Sequence, residues 1–499
     1  MSYRRIRWIY QVGFFGLFVF LLVAGAMGLV ERYATELFLD MSVLAGLATV
    51  ITQHNLMAGM FLGVLIAAAT LFVGRFFCGW VCPMGACQQL GAYVFEGKDR
   101  KDRYTRNSFS RWQRVKYAVL AVFVLAAVFG VVLAGLLDPI ALITRFGVTV
   151  VRPFVDLLGH GGATQTVAFD AAVATGVIFV AAFLMNLVQP RFWCRTICPL
   201  GAMLGLFSLR PVFRMVRDEQ QCIRCGRCTE ECQGACEPDK ALVPSECVMC
   251  MNCIDVCPTR AIAFKATRRL EDEAAAQTWR GAWVSRRQFI AAAVGGLASV
   301  AVLRNWRNIL GRGYPKRIRP PGSLDEEDFL ARCIRCGACM NVCPTNVIQP
   351  SGGETDAEGL WTPVLKMRYG YCEYECVKCS QVCPTGAIQK IGIEQKHEES
   401  FAHIGTAFVD RGRCLPWSFG KECLVCQEVC PVSPKAIYFQ AATYLDAEGQ
   451  SVEMKVPYIR AEQCIGCGAC EYHCPVQDKA AIRITSIGEH RSQDRKLLL

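Results

Sequence analysis

Residues Cys222–Cys232 read CIRCGRCTEEC, and residues Cys247–Cys257 repeat the spacing as CVMCMNCIDVC. In both stretches, three cysteines separated by two residues each are followed, three residues later, by a fourth. Protein chains bind [4Fe-4S] clusters at this spacing. A cubane cluster takes four thiolates and one short turning loop presents only three, so the two stretches exchange their fourth cysteine. The pattern therefore predicts a small α+β module with two clusters over residues 211–264.

The exchange defines two ligand sets in this bacterial-ferredoxin-like module. The first set is Cys222, Cys225, Cys228 and Cys257, and the second set is Cys247, Cys250, Cys253 and Cys232. Gln233 follows Cys232 where such runs usually carry Pro, and Cys236 lies four residues beyond Cys232. Cys236 is therefore the alternative fourth ligand of the second set. Zinc also binds paired cysteines, but paired runs of four favour iron-sulfur clusters.

Four further cysteine quartets predict a polyferredoxin domain over residues 311–499. Pro follows the last cysteine of every quartet. Exchange between neighbouring quartets gives four ligand sets: Cys333, Cys336, Cys339 with Cys383; Cys372, Cys376, Cys379 with Cys343; Cys414, Cys423, Cys426 with Cys474; and Cys464, Cys467, Cys470 with Cys430. The spacings before Cys376 and Cys423 depart from the simple run, which predicts a different loop shape at those two sites.

The cysteine usage indicates electron transfer rather than a disulfide scaffold. The chain has 30 cysteines that recur at ligand spacings, and about six clusters account for most of them. The sequence contains no Cys-x-x-Cys-His haem site, no Gly-rich nucleotide fingerprint and no hydrolase triad signature. A row of clusters without another catalytic motif moves electrons singly. The cysteines outside the six sets are Cys78, Cys82, Cys87, Cys194, Cys198 and Cys236.

The first 210 residues have the composition of a membrane domain. The chain is 53% hydrophobic and only 19% charged, which is too apolar for a soluble protein of 499 residues. A helix needs about 20 apolar residues to cross a bilayer core. Four segments approach this length: Trp8 to Val30, Leu56 to Val73, Tyr117 to Leu136 and Val167 to Leu187. The predicted fold is an α-helical membrane bundle of four spans plus a fifth anchor, with α+β bacterial-ferredoxin-like [4Fe-4S] modules.

The charge pattern predicts the orientation of this bundle. The net charge is +11, and the Lys and Arg residues lie in short blocks beside apolar runs, which indicates contact with a lipid bilayer and argues against nucleic acid. The loop 98–116 is strongly basic, whereas the loop after the first span carries Glu31, Glu36 and Asp40. The positive-inside rule therefore places the N-terminus and the module 211–264 on the cytoplasmic side of a bacterial inner membrane.

A duplicated motif marks two places on that predicted cytoplasmic face. Residues Cys78–Gly85 read CGWVCPMG and residues Cys194–Gly201 read CRTICPLG, each shortly after an Arg-Phe pair. The repetition indicates a duplicated two-helix unit. Two cysteines four residues apart at a helix start share a face, so Cys78, Cys82, Cys194 and Cys198 are candidates for an additional soft-metal site or for redox-active thiol pairs. The alternative is that they are packed thiols at helix ends.

Residues Ser285–Ile290 read SRRQFI and precede an apolar run from Ala291 to Leu303. A twin arginine before a short apolar run is typical of a bacterial export signal. We therefore expect a signal or anchor helix over residues 285–310, a linker over residues 265–284, and a periplasmic position for residues 311–499. Basic residues lie on both sides of the run, so charge bias alone does not orient it. The alternative is an ordinary buried helix preceded by two solvated arginines.

These motifs together resemble a known pair of proteins. The four segments, the duplicated Cys-x3-Cys-Pro motif and the paired cysteine run are similar to the NapH-type membrane ferredoxin. The twin arginine and the four quartets are similar to the NapG or MauM-type ferredoxin, so the chain resembles a fusion of the two. This resemblance implies a quinol dehydrogenase module that passes electrons from the membrane quinone pool to a periplasmic reductase or cytochrome. The resemblance also implies that clusters are loaded before the folded domain is exported.

A quinol site needs a proton acceptor beside apolar space near a membrane end. His54, Asp138, Arg145 and His160 are the candidates on the predicted outer side, and each also has a structural explanation as an interface residue or a helix-stop turn. The sequence is also compatible with two alternative functions. One is assistance in metallocentre assembly, by binding or reducing a metal at the membrane cysteines, and the other is a link from a cytoplasmic ferredoxin to quinone.

Overall fold

The computed structural model describes residues 2–27, 36–53, 61–97, 99–159, 168–240, 242–266, 290–291, 293–298, 300–302, 317–352, 357–397, 402–445 and 451–491. His54, His160 and residues 285–289 of the twin-arginine stretch lie outside these residues.

The first part of the described chain is helical. Its α-helices are α1 (Tyr3–Ala26), α2 (Glu36–Asp40), α3 (Val43–Gln53), α4 (Phe61–Val73), α5 (Phe76–Trp80), α6 (Pro83–Val94), α7 (Arg100–Asn107), α8 (Val115–Val128), α9 (Ala134–Leu137), α10 (Pro139–Phe146), α11 (Arg152–Gly159), α12 (Ala172–Leu184) and α13 (Pro199–Phe207). Short 3-10 helices occupy Arg111–Arg114 and Met185–Leu187, and short π-helices occupy Gly147–Val151 and Trp193–Ile197. Proline at the first position begins α6, α10 and α13, where its missing N–H costs no hydrogen bond.

The prediction of four full-length spans is not supported by the described helices. Among them, only α1 is long and apolar enough to cross a membrane. The helices α4, α8 and α12 have 13, 14 and 13 residues, fewer than the about 20 required. The third predicted span ends early because the chain turns at Gly130, whose φ is +78°. Its remaining apolar residues then enter α9 and the protein core.

The first ferredoxin unit, residues 211–266, is framed by two antiparallel strands, β1 (Phe213–Arg217) and β2 (Ile262–Ala266), with Phe213 opposite Ala266. Between them lie two short helices, α14 (Arg227–Glu230) and α15 (Asn252–Asp255), each carrying the third cysteine of a run. The residue before each helix has a left-handed backbone conformation: φ is +75° at Gly226 and +59° at Met251. This turn redirects the cysteine loop just before its third cysteine.

The second ferredoxin unit, residues 317–491 as described, contains three antiparallel strand pairs. These are β3 (Ile348–Pro350) with β4 (Pro363–Leu365), β5 (Thr406–Val409) with β8 (Ile482–Thr485), and β6 (Ile437–Leu445) with β7 (Ser451–Ile459). Short helices occupy Glu326–Arg332, Ala338–Asn341, Lys378–Gln381, Ile393–His397, Leu415–Ser418, Val425–Glu428 and Ala469–Tyr472. Because β5 pairs with the distant β8, residues near the end of the chain return to its middle.

Helix α1 contacts one ferredoxin unit at each end. Near its start, Arg7 Nη1 donates hydrogen bonds to Cys250 O and Asn252 Oδ1, both at 3.0 Å. Near its end, the Asn341 side chain donates to Leu22 O at 2.9 Å. The fifteen residues between Arg7 and Leu22 correspond to about 22 Å of helix. The two units therefore lie at opposite ends of the helix that is long enough to cross a membrane.

The predicted anchor helix is described in part. An apolar helix of fewer than 18 residues, Ala293–Val302, follows the twin-arginine stretch. Gly296 lies against Leu125 and Val122 of α8, and Val300 is buried with Phe123. This segment therefore packs against the helix that corresponds to the third predicted span.

Candidate functional site

The first ferredoxin unit brings one predicted ligand set around a cavity. Cys222, Cys225, Cys228 and Cys257 all line the same space of about 330 Å³, together with apolar residues such as Ile223 and Pro258. Burial raises the pKa of Cys228 to about 12, with further contributions from Asp239 and Cys232. Four thiols around one largely apolar space fit the donor set of a [4Fe-4S] cluster.

Cys232 and Cys236 both lie beside the second predicted set. Their Sγ atoms are 3.4 Å apart, and the Cys236 N–H donates to Cys232 Sγ at 3.3 Å. Burial raises the pKa of Cys253 well above its usual value, and the nearby thiols of Cys250, Cys247 and Cys232 raise it further. Cys247 also interacts with Cys236. The geometry thus brings both candidates for the fourth ligand to this set.

In the second ferredoxin unit, two cavities are each lined by all four cysteines of a predicted set. One, of about 360 Å³, is lined by Cys333, Cys336, Cys339 and Cys383. The other, of about 390 Å³, is lined by Cys414, Cys423, Cys426 and Cys474. In each, the fourth cysteine comes from a stretch about 40 or more residues away in the sequence, as the exchange pattern predicts.

The other two sets of this unit also converge. Burial raises the pKa of Cys379 well above its usual value, and Cys372, Cys343 and Cys376 contribute to the increase. The same holds for Cys470, where burial is joined by Cys467, Cys464, Cys426 and Cys430. Each group contains all members of one predicted set.

Contacts between neighbouring sets give their order in space. Cys339 of the Cys333 set interacts with Cys379 of the Cys372 set. The Cys372 N–H donates to Cys467 O at 2.7 Å, which joins the Cys372 set to the Cys464 set. Cys470 in turn interacts with Cys426 of the Cys414 set. The spatial order is therefore Cys333, Cys372, Cys464 and Cys414, which differs from the order in the sequence.

The Cys333 set faces the helical part of the chain. Arg335 Nη1 donates to Val132 O, and Arg152 Nη1 donates to Asn341 O, both at 2.6 Å. A Cβ atom on Gly135 would lie 1.8 Å from Ile334 O, so the two backbones touch there. The loop that carries the Cys333 set is therefore packed directly on the helical part of the chain.

The two copies of the Cys-x3-Cys-Pro motif have matching local structures. In each copy the second cysteine, Cys82 or Cys198, immediately precedes a helix that starts with Pro. Cys198 Sγ accepts a hydrogen bond from the Gly201 N–H at 3.2 Å. A five-residue helical turn, α5 or Trp193–Ile197, precedes each cysteine-proline pair. The duplicated sequence therefore corresponds to a duplicated structure.

The arginine of each motif copy lies against the other copy. Arg191 Nη2 donates to Cys78 O at 2.7 Å and approaches Gly85 O at 3.5 Å. Arg75 Nη2 is 2.9 Å from the position that a Cβ atom on Gly201 would take, while its Nη1 atom donates to Ser245 O at 2.8 Å. Arg75 and Arg191 occupy equivalent positions, 116 residues apart, in the two copies. Both arginines are almost fully buried.

The four motif thiols form one buried group. Burial raises the pKa of Cys82 well above its usual value, and Cys78, Cys194 and Cys198 all add to the increase. The pKa of Cys198 is likewise raised by burial and by Cys194 and Cys78. Within the described residues, no three His, Cys, Asp or Glu side chains converge closely enough to hold a single metal ion.

The structure gives the described quinol-site candidates packing roles. Asp138 Oδ1 accepts the N–H groups of Ile140 and Ala141, which caps α10, and its Oδ2 accepts the Ser42 hydroxyl at 2.5 Å. Arg145 is buried, and its guanidinium lies 4.6 Å from the centre of the Trp361 ring. These contacts account for both residues without a substrate.

A cavity that is open to solvent lies between α6, α7 and the first ferredoxin unit. Its walls include Gln89, Arg191 and Cys232, the last of which is a predicted cluster ligand. Gln89 is 9% exposed, and its Oε1 atom is buried without a hydrogen-bond partner among the described residues, as is Arg191 Nε. Tyr93, 55% exposed, also lines the cavity and packs edge-on against Trp8.

Sequence reasoning missed several residues that join the units. Glu246 is buried and pairs with Lys116, and it accepts a hydrogen bond from the Tyr117 hydroxyl at 2.9 Å. Arg75 lies 3.6 Å from the same carboxylate. A lysine at the start of an apolar segment resembles an interface anchor in the sequence, so nothing marked it as the partner of a carboxylate 130 residues away.

Models of protein families match five stretches of the chain. A 4Fe-4S binding domain model matches residues 55–102 and again residues 171–215, which contain the two motif copies. A 4Fe-4S dicluster domain model matches residues 332–387 and 421–477, and a third 4Fe-4S binding domain model matches residues 241–263. These matches confirm the prediction of several [4Fe-4S] modules.

Similar proteins include the methylamine utilization ferredoxin-type protein MauM of Methylorubrum extorquens, which is 35% identical over 208 residues, 40% of this chain and 88% of that protein. The ferredoxin-type protein NapG of Escherichia coli is 34% identical over 207 residues, 40% of this chain and 84% of that protein. The putative electron transport protein YccM of Escherichia coli is 27% identical over 224 residues, 44% of this chain and 57% of that protein. No solved structure matches the chain.

Proposed function

The chain belongs to the family of ferredoxin-type proteins that includes MauM and NapG, and from this membership we propose that it oxidises quinol in a bacterial inner membrane and relays the electrons to a periplasmic redox partner. It is an iron-sulfur electron-transfer protein. The finer proposal is a fusion of a NapH-type membrane part with a NapG or MauM-type polyferredoxin, exported through the twin-arginine signal.

The observation that carries this proposal is the position of the two ferredoxin units at opposite ends of α1. Arg7 holds the Cys250 loop at one end, and Asn341 holds Leu22 at the other. If α1 crosses the membrane, the Cys247 set lies on the cytoplasmic side and the Cys333 set on the periplasmic side. The packing of Ala293–Val302 on α8 supports the same arrangement, because an anchor helix there would carry the chain between the two sides.

The six ligand sets would then hold clusters for electron transfer, and the four sets of the second unit would form a row with one end at the membrane part. The Cys333 set touches the membrane part through Gly135 and Arg335. The Cys414 set lies at the far end of the row, where Cys423 and Cys426 are only partly buried. We propose that a redox protein docks near this far end and exchanges single electrons with it. Clusters supply the electron transfer, and the chain's residues hold them, exclude water and set their order.

The cavity beside Cys232 is the site that we favour for the quinol head group. Its exposed Tyr93 and the neighbouring Trp8 are residues typical of a membrane interface. Gln89 Oε1 can accept a hydrogen bond from a quinol hydroxyl, and Arg191 Nε can donate one to a quinone oxygen. His54 and His160, which lie outside the described residues, stay candidates for a second quinol position.

Quinol reduction of the purified chain tests this function. We expect [4Fe-4S] signals in electron paramagnetic resonance spectra when the full chain, extracted anaerobically into lipid nanodiscs, receives a quinol analogue. Clusters whose measured potentials lie within reach of quinol but that stay oxidised would contradict the proposal. Reduction of a bound copper ion instead of the clusters would favour a role in metallocentre assembly.

Gln89→Leu tests the head-group site. The substitution removes the unpartnered acceptor while filling the same volume, so we expect the rate of cluster reduction by quinol to fall at least tenfold, with reduction by dithionite unchanged. The control is Gln220→Leu, on an exposed turn of the first ferredoxin unit. Equal rates for the two variants would exclude this cavity as the quinol site.

A further inference from the structure

We propose that Cys78, Cys82, Cys194 and Cys198 bind a seventh [4Fe-4S] cluster, shared between the two copies of the duplicated motif. The assignment rests on the arrangement of the four side chains and their surroundings, and it does not depend on quinol oxidation.

The four cysteines make a complete donor set for one cluster. Each copy of the motif supplies two cysteines, which is half of what a cubane needs. The fold joins the two halves. Arg191, beside the second pair of cysteines, donates from Nη2 to Cys78 O at 2.7 Å. A Cβ atom on Gly201 would lie 2.9 Å from Arg75 Nη2 and 3.5 Å from Cys198 Sγ. Cys82 and Cys198 are buried, and Cys78 and Cys194 are half-buried, so the group is shielded from water. The stretches that match a 4Fe-4S binding domain model, residues 55–102 and 171–215, carry one half each.

Positive charge lies beside the four thiols. A [4Fe-4S] cluster with four thiolates is negatively charged, and a buried negative charge needs compensation. Arg75 and Arg191, both almost fully buried, flank the group from opposite copies. Glu246, close to Arg75, already pairs with Lys116. The second guanidinium, Arg191, has no carboxylate among its described hydrogen-bond partners, which are Gln233 Oε1 and the carbonyls of Cys78 and Gly85.

The four thiols lie between the two ferredoxin units. On one side, Trp80 of the first motif copy donates to Met249 O at 2.9 Å, and Gly79 lies against Val248 O, both within the Cys247 loop. On the other side, Asp138 lies within electrostatic range of Cys198, and Gly135 touches the Cys333 loop at Ile334.

This position gives the cluster a role. Electron tunnelling slows exponentially with distance, so two ferredoxin units at opposite ends of α1 exchange electrons slowly unless a centre lies between them. A cluster at the four thiols divides that gap. It would accept one electron from the Cys247 set and pass one electron to the Cys333 set, with no bond made or broken.

Iron and acid-labile sulfide analysis of the anaerobically reconstituted full chain provides the test. Seven clusters of four correspond to about 28 iron atoms per chain, against about 24 for six. We expect Cys82→Ser and Cys198→Ser each to lose about four iron atoms, because the shared cluster needs both copies. Cys464→Ala, which removes a ligand of a predicted polyferredoxin cluster, calibrates the loss of one cluster in the same preparation.

Cys87→Ser is the matched control, since Cys87 lies on α6 in the same region but outside the set of four. This variant should keep its full iron content. Mössbauer spectroscopy of the unsubstituted chain enriched in iron-57 counts clusters without relying on the folding of any variant. About 24 iron atoms in the unsubstituted chain, a Cys78–Cys82 disulfide in it, or equal iron in the Cys82→Ser and Cys87→Ser variants would overturn the assignment.

Discussion

Glu326 is a carboxylate that three arginines of the second ferredoxin unit share. Its carboxylate pairs with Arg317 and Arg319 at 2.6 Å and with Arg491 at 3.0 Å. Burial alone would raise the pKa of Glu326, but Arg319, Arg491 and Arg317 hold it well below the usual range. One carboxylate thus joins the start of the unit to residue 491 near its end.

Glu326→Gln should lower the stability of this unit by about 1–3 kcal/mol, because it removes the carboxylate that three largely buried arginines share, although Arg491 keeps its pairing with Glu489. The measurement is the thermal midpoint of cluster absorbance in the purified full chain at a fixed scan rate. Glu327→Gln, at the exposed neighbouring position, is the control and should change the midpoint little. Equal midpoints would show that the three arginines do not depend on Glu326.

Asp40 should make stability depend on pH near neutrality. Burial, with a contribution from Glu36, raises the pKa of Asp40 to about 7 in the folded chain, whereas an unfolded Asp ionises near 4. Between these values the unfolded chain releases a proton that the folded chain retains, so stability falls as pH rises from about 4 to about 7. We expect Asp40→Asn to be more stable than the unsubstituted chain by about 1–2 kcal/mol at pH 8.

The gain from Asp40→Asn should be smaller at pH 5, where the folded Asp40 is already protonated. Thermal midpoints at the two pH values measure this difference. A gain that is the same at pH 5 and pH 8 would mean that Asp40 ionises at its ordinary pKa in the folded chain.

Spacing is the signal from which the sequence predicts individual cluster ligands. The cysteine runs predict ligand sets because the cubane requires three thiols from one loop and one from another, and the members of three of these sets line a common pocket. Gln89 could not be predicted in this way. A glutamine on an apolar helix carries no spacing signal, and its significance arises only from a cavity formed by distant segments.

At the scale of elements, α9 is where the helical part meets the second ferredoxin unit. Gly135 lies so close to Ile334 O that a Cβ atom would overlap it, at 1.8 Å. Gly135→Ala should therefore separate the two parts locally and slow electron passage from the first unit to the second by at least tenfold, with iron content retained. Stopped-flow absorbance after partial reduction of the chain measures the passage.

The control for Gly135→Ala is Gly16→Ala on α1, where nothing lies within 4 Å of the new Cβ atom. This variant should pass electrons at the original rate. An unchanged rate in Gly135→Ala as well would show that the contact at α9 is not on the electron path.

The sequence predicts the long helix α1 but not the short helices that replace the other expected spans. Apolar composition predicts α1 correctly as a long helix. It does not distinguish a span from a set of short buried helices, since both bury apolar side chains. The segment after α8 is apolar because α9 and α10 fill the core, with Gly130 and Asp138 supplying the turn and the helix cap that break a continuous span.

At the scale of the whole molecule, the proposed topology depends on the twin-arginine stretch. Replacing Arg286 and Arg287 by Lys should leave the second ferredoxin unit in the cytoplasm, because that export route recognises the arginine pair itself. A reporter fused after Leu499 that is active only in the periplasm should lose its signal. Lysines at Arg268 and Arg269 in the linker preserve the same charge and should leave the signal unchanged.

Reporter activity that survives the loss of both Arg286 and Arg287 would exclude export through this signal. A reporter active only in the cytoplasm in the unsubstituted chain would instead favour a link between a cytoplasmic ferredoxin and quinone. The sequence predicts that two ferredoxin units exist, but their placement at opposite ends of α1 arises from contacts such as Asn341 with Leu22 that no local pattern encodes.

The reciprocal arginines also bear on how such a chain arose. Arg75 lies against Gly201 of the second motif copy and Arg191 donates to Cys78 O of the first, so each copy places an arginine against its twin. Two copies of a single ancestral unit would satisfy each other in the same way, as residues do across the two-fold axis of a symmetric dimer. Gene duplication and fusion would then have made that dimer permanent, and each copy would have become free to change everywhere except at the residues it lends to its twin.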